Sequence, residues 1–167
     1  MDHVDLYSCF PAAVQVAARE IGLSQDRPLT VTGGLTFAGG PLNNYVMHGV
    51  ARTVELLRAA PGTKGLVTAN GGLLTKHALC IYSTDAPEKS FSWASLQDEV
   101  DAMPRREVAV EHDGEATIES YVVMYDADAK PIVAHTACLL DDGRRTWANV
   151  TDGDTVAAMM HEEFCGR

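Results

Sequence analysis

Several features are scarce in these 167 residues. No run of about 20 uncharged apolar residues is present, and Met1-Asp2-His3-Val4-Asp5 has no basic stretch leading into an apolar one. A membrane span and a secretory signal are therefore not expected, and the sequence predicts a cytoplasmic chain. The four cysteines, Cys9, Cys80, Cys138 and Cys165, form no C-x-x-C pair. That argues against a zinc ribbon or a thioredoxin-type redox site, and reduced, mostly buried thiols are expected. No metal site is predicted, because His135 and His161 have no ligand-spaced partner. Basic charge is also short. Residues 1–84 hold 6 basic and 5 acidic groups, net +1, whereas residues 85–167 hold 7 and 18, net −11. So acidic a second half repels phosphate backbones, and nucleic acid is not an expected partner.

What is present is the composition of a folded protein, 46% hydrophobic and 22% charged. The polar stretch Ser83–Ser90, with Pro87, coincides with the charge step and places a domain boundary near residue 86, giving segments 1–86 and 87–167. In the first segment Val4-Asp5-Leu6 reads as a strand end. Ser8 is a candidate cap for a helix over Phe10–Glu20, with Pro11 in its first turn and Gly22 past its end. A second helix over about 43–59 shows Val46, Val50, Val54 and Leu57 at helical spacing. Leu66–Thr68 and Ala78–Tyr82 read as buried strands flanking Gly71-Gly72. The alternation predicts an α/β layer.

The second segment predicts short strands at Glu107–Glu111, Thr117–Tyr125, Ile132–Leu140 and Arg145–Val150, then a terminal helix bearing Val156, Met159, Met160 and Phe164. Four strands need closing or covering, so a small OB-like barrel is expected. Trp147 and the two methionines read as core, His48 and His112 as exposed. Arg105-Arg106 and Arg144-Arg145, set among acids, read as solvated charges.

Nine of the fourteen glycines fall between Gly33 and Gly72. Tight turns are the simpler account of that clustering. A ligand loop is the other, since Gly39-Gly40-Pro41-Leu42-Asn43-Asn44 leads straight into a helix whose first amides can receive an anion.

Three of these segments together resemble landmarks of the C-terminal thiolase domain. Asp5-Leu6-Tyr7-Ser8-Cys9-Phe10 stands where thiolases have an N-E-A-F or H-D-C-F box. Gly33-Gly34-Leu35 through Phe37-Ala38-Gly39-Gly40-Pro41-Leu42 stands for the G-G-x-x-x-x-G-H-P-x-G loop, and Ala69-Asn70-Gly71-Gly72 for the C-x-G-G-G loop. The resemblance covers residues 4–84. The remainder is similar to the additional OB-like C-terminal domain of thiolase-like proteins in the acetyl-CoA acetyltransferase group. The implied fold is a thiolase-like α/β C-terminal half-domain followed by a small β-rich barrel with a terminal helix.

The resemblance implies acyl-CoA thioester chemistry, which needs a nucleophilic Cys, a His to activate it and a second Cys to move an α-proton. The nucleophile belongs to the other half of the family's fold. The His position falls on Gly40, the second Cys position on Ala69, and the box positions that would hold a water fall on Tyr7 and Ser8. Asn43, Asn44 and Tyr45 replace small residues beside the acyl-CoA arm.

The chain is therefore expected to be inactive alone, with Cys9 and His77 as candidate substitutes and an acid–base pair of the Tyr or His kind, from Tyr7 or His77, as the resemblance to thiolase-like aldolases implies. Gly39, Gly40, Pro41, Asn43, Asn44, Asn70, Gly71 and Gly72 are the candidate CoA-binding residues; no resident cofactor is expected, and a CoA thioester is the candidate ligand. The expected partner is an N-terminal thiolase-like half, or a second copy, with a fragment of a longer protein as the expected origin. A non-catalytic binding module is the competing reading.

Overall fold

A computed structural model describes residues 1–167. The chain forms two compact units, Met1–Ser92 and Trp93–Arg167. The division falls between Ser92 and Trp93.

The first unit contains β1 (His3–Asp5), α1 (Pro11–Ile21), α2 (Leu35–Ala38), a 3-10 turn (Leu42–Asn44), α3 (Tyr45–Ala59), β2 (Lys64–Gly71) and β3 (Lys76–Ser83). The sheet order is β1-β2-β3, with β1 parallel to β2 (Val4 opposite Leu66) and β2 antiparallel to β3 (Val67 opposite Cys80). Strand alternation decides which side chain meets which helix. Val4 and the following Leu6 pack with Ala18, Val14 and Ala17 of α1. Asp5, between them, points to the other side, against Gly49 of α3.

α1 begins at Pro11, whose missing N–H is harmless in a first turn, and ends at Gly22 in the left-handed conformation, φ 76°. Ser8 is not its cap; Phe10 occupies that position without a side-chain bond, and the Ser8 hydroxyl is used elsewhere.

α3 corrects the expected apolar stripe by one residue. Its buried row is Tyr45, Gly49, Thr53 and Leu57, while Val46, Val50 and Val54 are only half-buried. The reason is close approach. A Cβ on Gly49 would stand 2.8 Å from Asp5 Oδ1, and one on Gly65 of β2 would stand 2.3 Å from Thr53 Cγ2. Small residues let helix and sheet meet there, and valines do not fit.

β3 is the second correction: it is exposed along nearly its whole length, with Leu79 and Ile81 each 59% accessible. It is an edge strand with β2 on one side only.

The second unit contains α4 (Gln97–Asp101), β4 (Thr117–Tyr125), β5 (Pro131–Leu139), β6 (Arg145–Val150) and α5 (Gly153–Ala158). The three strands form an antiparallel meander, β4-β5-β6. α5 lies on β5, and Ala134, Val156 and Met159 form the core with Ile118, Tyr121, Val123, Val150 and Phe164 around them. Asp152 caps α5, accepting from the Thr155 N–H at 2.9 Å.

The sheet is open, which corrects the expected closed barrel. Glu107–Glu111 makes one bridge, Val108 with Arg145, rather than a strand. Its valines have nothing to bury against, Val110 being 91% exposed, so a fourth ladder gains little. The outer edge of β4 is touched only near Ile118, by the backbone of Gly166 and Arg167. Trp147 and Met160 lie on the surface, also against expectation, whereas Met159 is core. Of the cysteines only Cys138 is buried; Cys9 is intermediate, and Cys80 and Cys165 are exposed.

Candidate functional site

The turn between β1 and α1 is the point where the first unit's landmarks meet. Tyr7 donates its N–H to Thr68 Oγ1 at 2.9 Å, tying the turn to β2. The Ser8 hydroxyl accepts from the Leu35 N–H at 3.0 Å, tying it to the glycine loop. Gly34 is required at that contact: its φ is +80°, and a Cβ would lie 2.7 Å from Ser8 Oγ. Cys9 Sγ accepts from Asn70 Nδ2 at 3.5 Å, and Asn70 Oδ1 is buried with no partner. Tyr7, Ser8, Cys9 and Asn70 are thus gathered, all half-buried.

Beneath them lies a buried polar network that sequence reasoning missed. Asp5, 1% exposed, accepts at Oδ2 from the Val31 N–H (3.0 Å), the Thr32 N–H (3.3 Å) and the Thr32 hydroxyl (3.1 Å), and at Oδ1 from the Tyr45 hydroxyl (3.1 Å). The Tyr45 and Thr32 hydroxyls are 2.7 Å apart. Burial pushes the Tyr45 phenol above its usual range. The Tyr45 ring also meets Tyr7 edge-on, with centroids 5.5 Å apart. A buried aspartate at a strand end, flanked by Val4 and Leu6, was the one signal available. Its partners stand 26 to 40 residues away and carry no spacing signature.

The other expected site residues lie farther out. Gly39, Gly40, Pro41, Asn43 and Asn44 are exposed, and the nearest side chain to a Cβ on Gly40 would be Leu35, at 3.5 Å. Ala69 and Asn70 sit in β2, half-buried, while Gly72 is in the turn to β3. His77 is exposed at the start of β3 and its Nε2 lies 3.1 Å from the Leu74 carbonyl, three residues back. No hydrogen bond brings it to Cys9. Cys9 therefore touches an amide, which can position a thiol but cannot take its proton.

Beside this cluster α1 and the β2–β3 hairpin enclose an apolar groove of about 240 Å³, lined by Ala13, Val16, Ala17, Ile21, Leu74 and Leu79 among others. It is continuous with the exposed edge strand β3.

The fold has known relatives. Residues 95–167 match the family described as the thiolase-like protein type 1 additional C-terminal domain. The crystal structure of a monomeric SCP2-thiolase-like protein type 1 from Mycobacterium smegmatis is 40% identical, with a TM-score of 0.85 over 98% of this chain. Both units are similar to thiolase-like proteins. The chain spans 37% of the length of that solved protein. No curated protein matches it. The thiolase-like similarity joins both units, since the structural match runs through the α/β unit as well as the additional domain. No helix of this chain is long and apolar enough to cross a membrane.

Proposed function

We propose that this chain serves an acyl-CoA protein of the thiolase superfamily, related to acetyl-CoA acetyltransferases, and that it does not turn over thioesters by itself. One observation carries the reading. At the thiolase-like turn, the only thiol, Cys9, faces Asn70, and Gly40 and Ala69 stand where the family places its proton-handling His and Cys. Claisen-type chemistry without a base at the thiol loses the activation step on which the rate depends. The half-buried Tyr7, Ser8 and Asn70 remain suited to hold a neutral thioester by hydrogen bonds.

The partner in this reading is an N-terminal thiolase-like half. The exposed edge of β3, with Leu79 and Ile81 bare, and the apolar groove beside α1 are surfaces of the kind that another layer covers. A second copy is disfavoured by the monomeric state of the relative, 37% of which this chain covers.

Incubation of the purified chain with acetoacetyl-CoA and CoA, followed at the thioester absorbance, is expected to give no turnover. Calorimetry with CoA and acetyl-CoA is expected to give weak binding that Asn70→Ala abolishes. Turnover by the isolated chain would defeat the non-catalytic reading; absence of heat at millimolar ligand would defeat CoA recognition. An aldolase-like subunit acting with a separate N-terminal chain is the second reading, favoured by the half-buried position of both Tyr7 and Cys9 at one turn. It requires activity to appear when the two chains are mixed.

A further inference from the structure

The second unit holds 6 Lys and Arg against 16 Asp and Glu, a net charge of −10, yet three of those six cations line one cleft. The cleft has a volume of about 460 Å³ and is walled by Arg105 and Arg106 on one side and Arg144 on the other, with Glu107 and Asp142 at its margin. The two walls are 38 residues apart in sequence and are fastened by backbone bonds. Arg145 N–H donates to the Glu107 carbonyl at 2.9 Å and Ala109 N–H to the Arg145 carbonyl at 2.8 Å, clipping the Arg105–Arg106 segment to β6. The β5–β6 turn is closed by Leu140 N–H to the Arg144 carbonyl at 2.9 Å. The guanidiniums are thus carried on braced backbone.

Their donors are far from saturated. Arg144 spends its side-chain Nε–H on Asp142 Oδ2 at 2.7 Å, leaving both terminal nitrogens, and Arg105 pairs with Asp101 through one nitrogen. Arg106 is the least used: its nearest carboxylate oxygen, Glu119 Oε1, is 3.6 Å away, while Glu119 Oε2 takes both Arg145 Nε at 2.9 Å and Nη2 at 2.7 Å. Each of the three forks faces one carboxylate, Asp101, Glu119 or Asp142, yet each keeps N–H groups free, and their convergence on one cleft suits a compact anion of high charge density. The volume is that of a small-molecule site rather than of a single ion.

We infer that the cleft between Arg105-Arg106 and Arg144 binds a phosphate-bearing small molecule, a phosphate ester or diphosphate, through bidentate guanidinium contacts. The site is separate from the Tyr7–Asn70 cluster and independent of the reading proposed for it. The phosphates of CoA and those of other nucleotides share this chemistry, and the experiment separates them.

The ¹⁵N-labelled full chain is titrated at low ionic strength with inorganic pyrophosphate, ADP and CoA in parallel, with amide and arginine Nε–H resonances followed. Saturable shifts confined to residues 105–107 and 142–144 are expected with pyrophosphate. ADP binding alike shows a general diphosphate site, and a gain confined to CoA shows that its additional phosphate is read. Arg106→Gln is expected to weaken pyrophosphate about tenfold, the scale of one charge-assisted hydrogen-bond pair. Arg106→Lys, which keeps charge and removes the fork, is expected to weaken it as well and serves if the first variant misfolds. Arg58→Gln, on the exposed face of α3, should change nothing. Shifts spread equally over Arg19, Arg58 and the cleft, an unaltered affinity in both Arg106 variants, or no shifts at all would overturn the assignment.

Discussion

The two units differ in the polar groups they bury, the second enclosing the hydroxyls of Thr136 and Thr146 and the first a carboxylate as well. In the first, Asp5, Thr32 and Tyr45 form a closed set of hydrogen bonds under the β1–α1 turn, and Gly49, Thr53 and Gly65 let α3 come close to the sheet. The second buries aliphatic groups around Ala134, Val156 and Met159 and carries its charges outside, in pairs such as Arg145–Glu119 and Arg144–Asp142. A buried network is costly to break because each orphaned donor bears its full desolvation, whereas a surface pair returns to water. The first unit should therefore be the more sensitive to single polar changes and the second to loss of apolar volume.

The sharpest way to break that contrast is Asp5→Ala. It leaves two backbone N–H groups and one hydroxyl proton of the Tyr45–Thr32 pair without an acceptor, and an expected cost of about 3–5 kcal/mol should melt the first unit while calorimetry shows the second unchanged. Met159→Ala is the mirror experiment, with an expected loss of about 2–4 kcal/mol confined to the second unit; a smaller loss than that of Glu119→Gln would reverse the comparison.

Tyr45 adds a pH test. Its folded pKa is raised, so the stability it contributes is complete below the unfolded phenol value near 10 and is lost as pH rises through the higher folded value. Denaturant midpoints of the first unit are expected to fall on the alkaline side, and Tyr45→Phe should flatten that fall.

Thr53→Val probes the same core more gently. Thr53 is fully buried and its hydroxyl has no partner, so replacement by an isosteric methyl is expected to be neutral or stabilising by up to ~1–2 kcal/mol. Glu119→Gln, on a pair about one-third exposed, is expected to move stability by less than ~1 kcal/mol.

Where sequence reading succeeded, the information was local. α1 with Pro11 and Gly22 and the three strands β4, β5 and β6 all depend on residues adjacent in the chain. It went astray where burial depends on something distant. α3 turned by one residue because Asp5 and Gly65 admit small side chains, and apolar spacing along a helix records nothing about what lies opposite. β3 looked buried because Ala78–Tyr82 is apolar, yet burial needs a covering layer. Trp147 looked like core for its size and lies on an open sheet face. Of the candidate site, the segments Tyr7–Cys9, Gly33–Leu35 and Ala69–Gly72 were legible. Their convergence through Ser8–Leu35 and Cys9–Asn70 was not.

By itself, then, the chain's order of residues determined most of the helices and strands, though not the Glu107–Glu111 segment, and the charge imbalance between its halves, since each follows from neighbours along the backbone. Only the folded structure decided that Asp5 is enclosed by groups up to 40 residues away, that the second sheet stays open, and that Arg106 and Arg144 share a cleft. Hydrogen bonding and charge act through space over a few ångströms, and distance along the chain does not encode that separation.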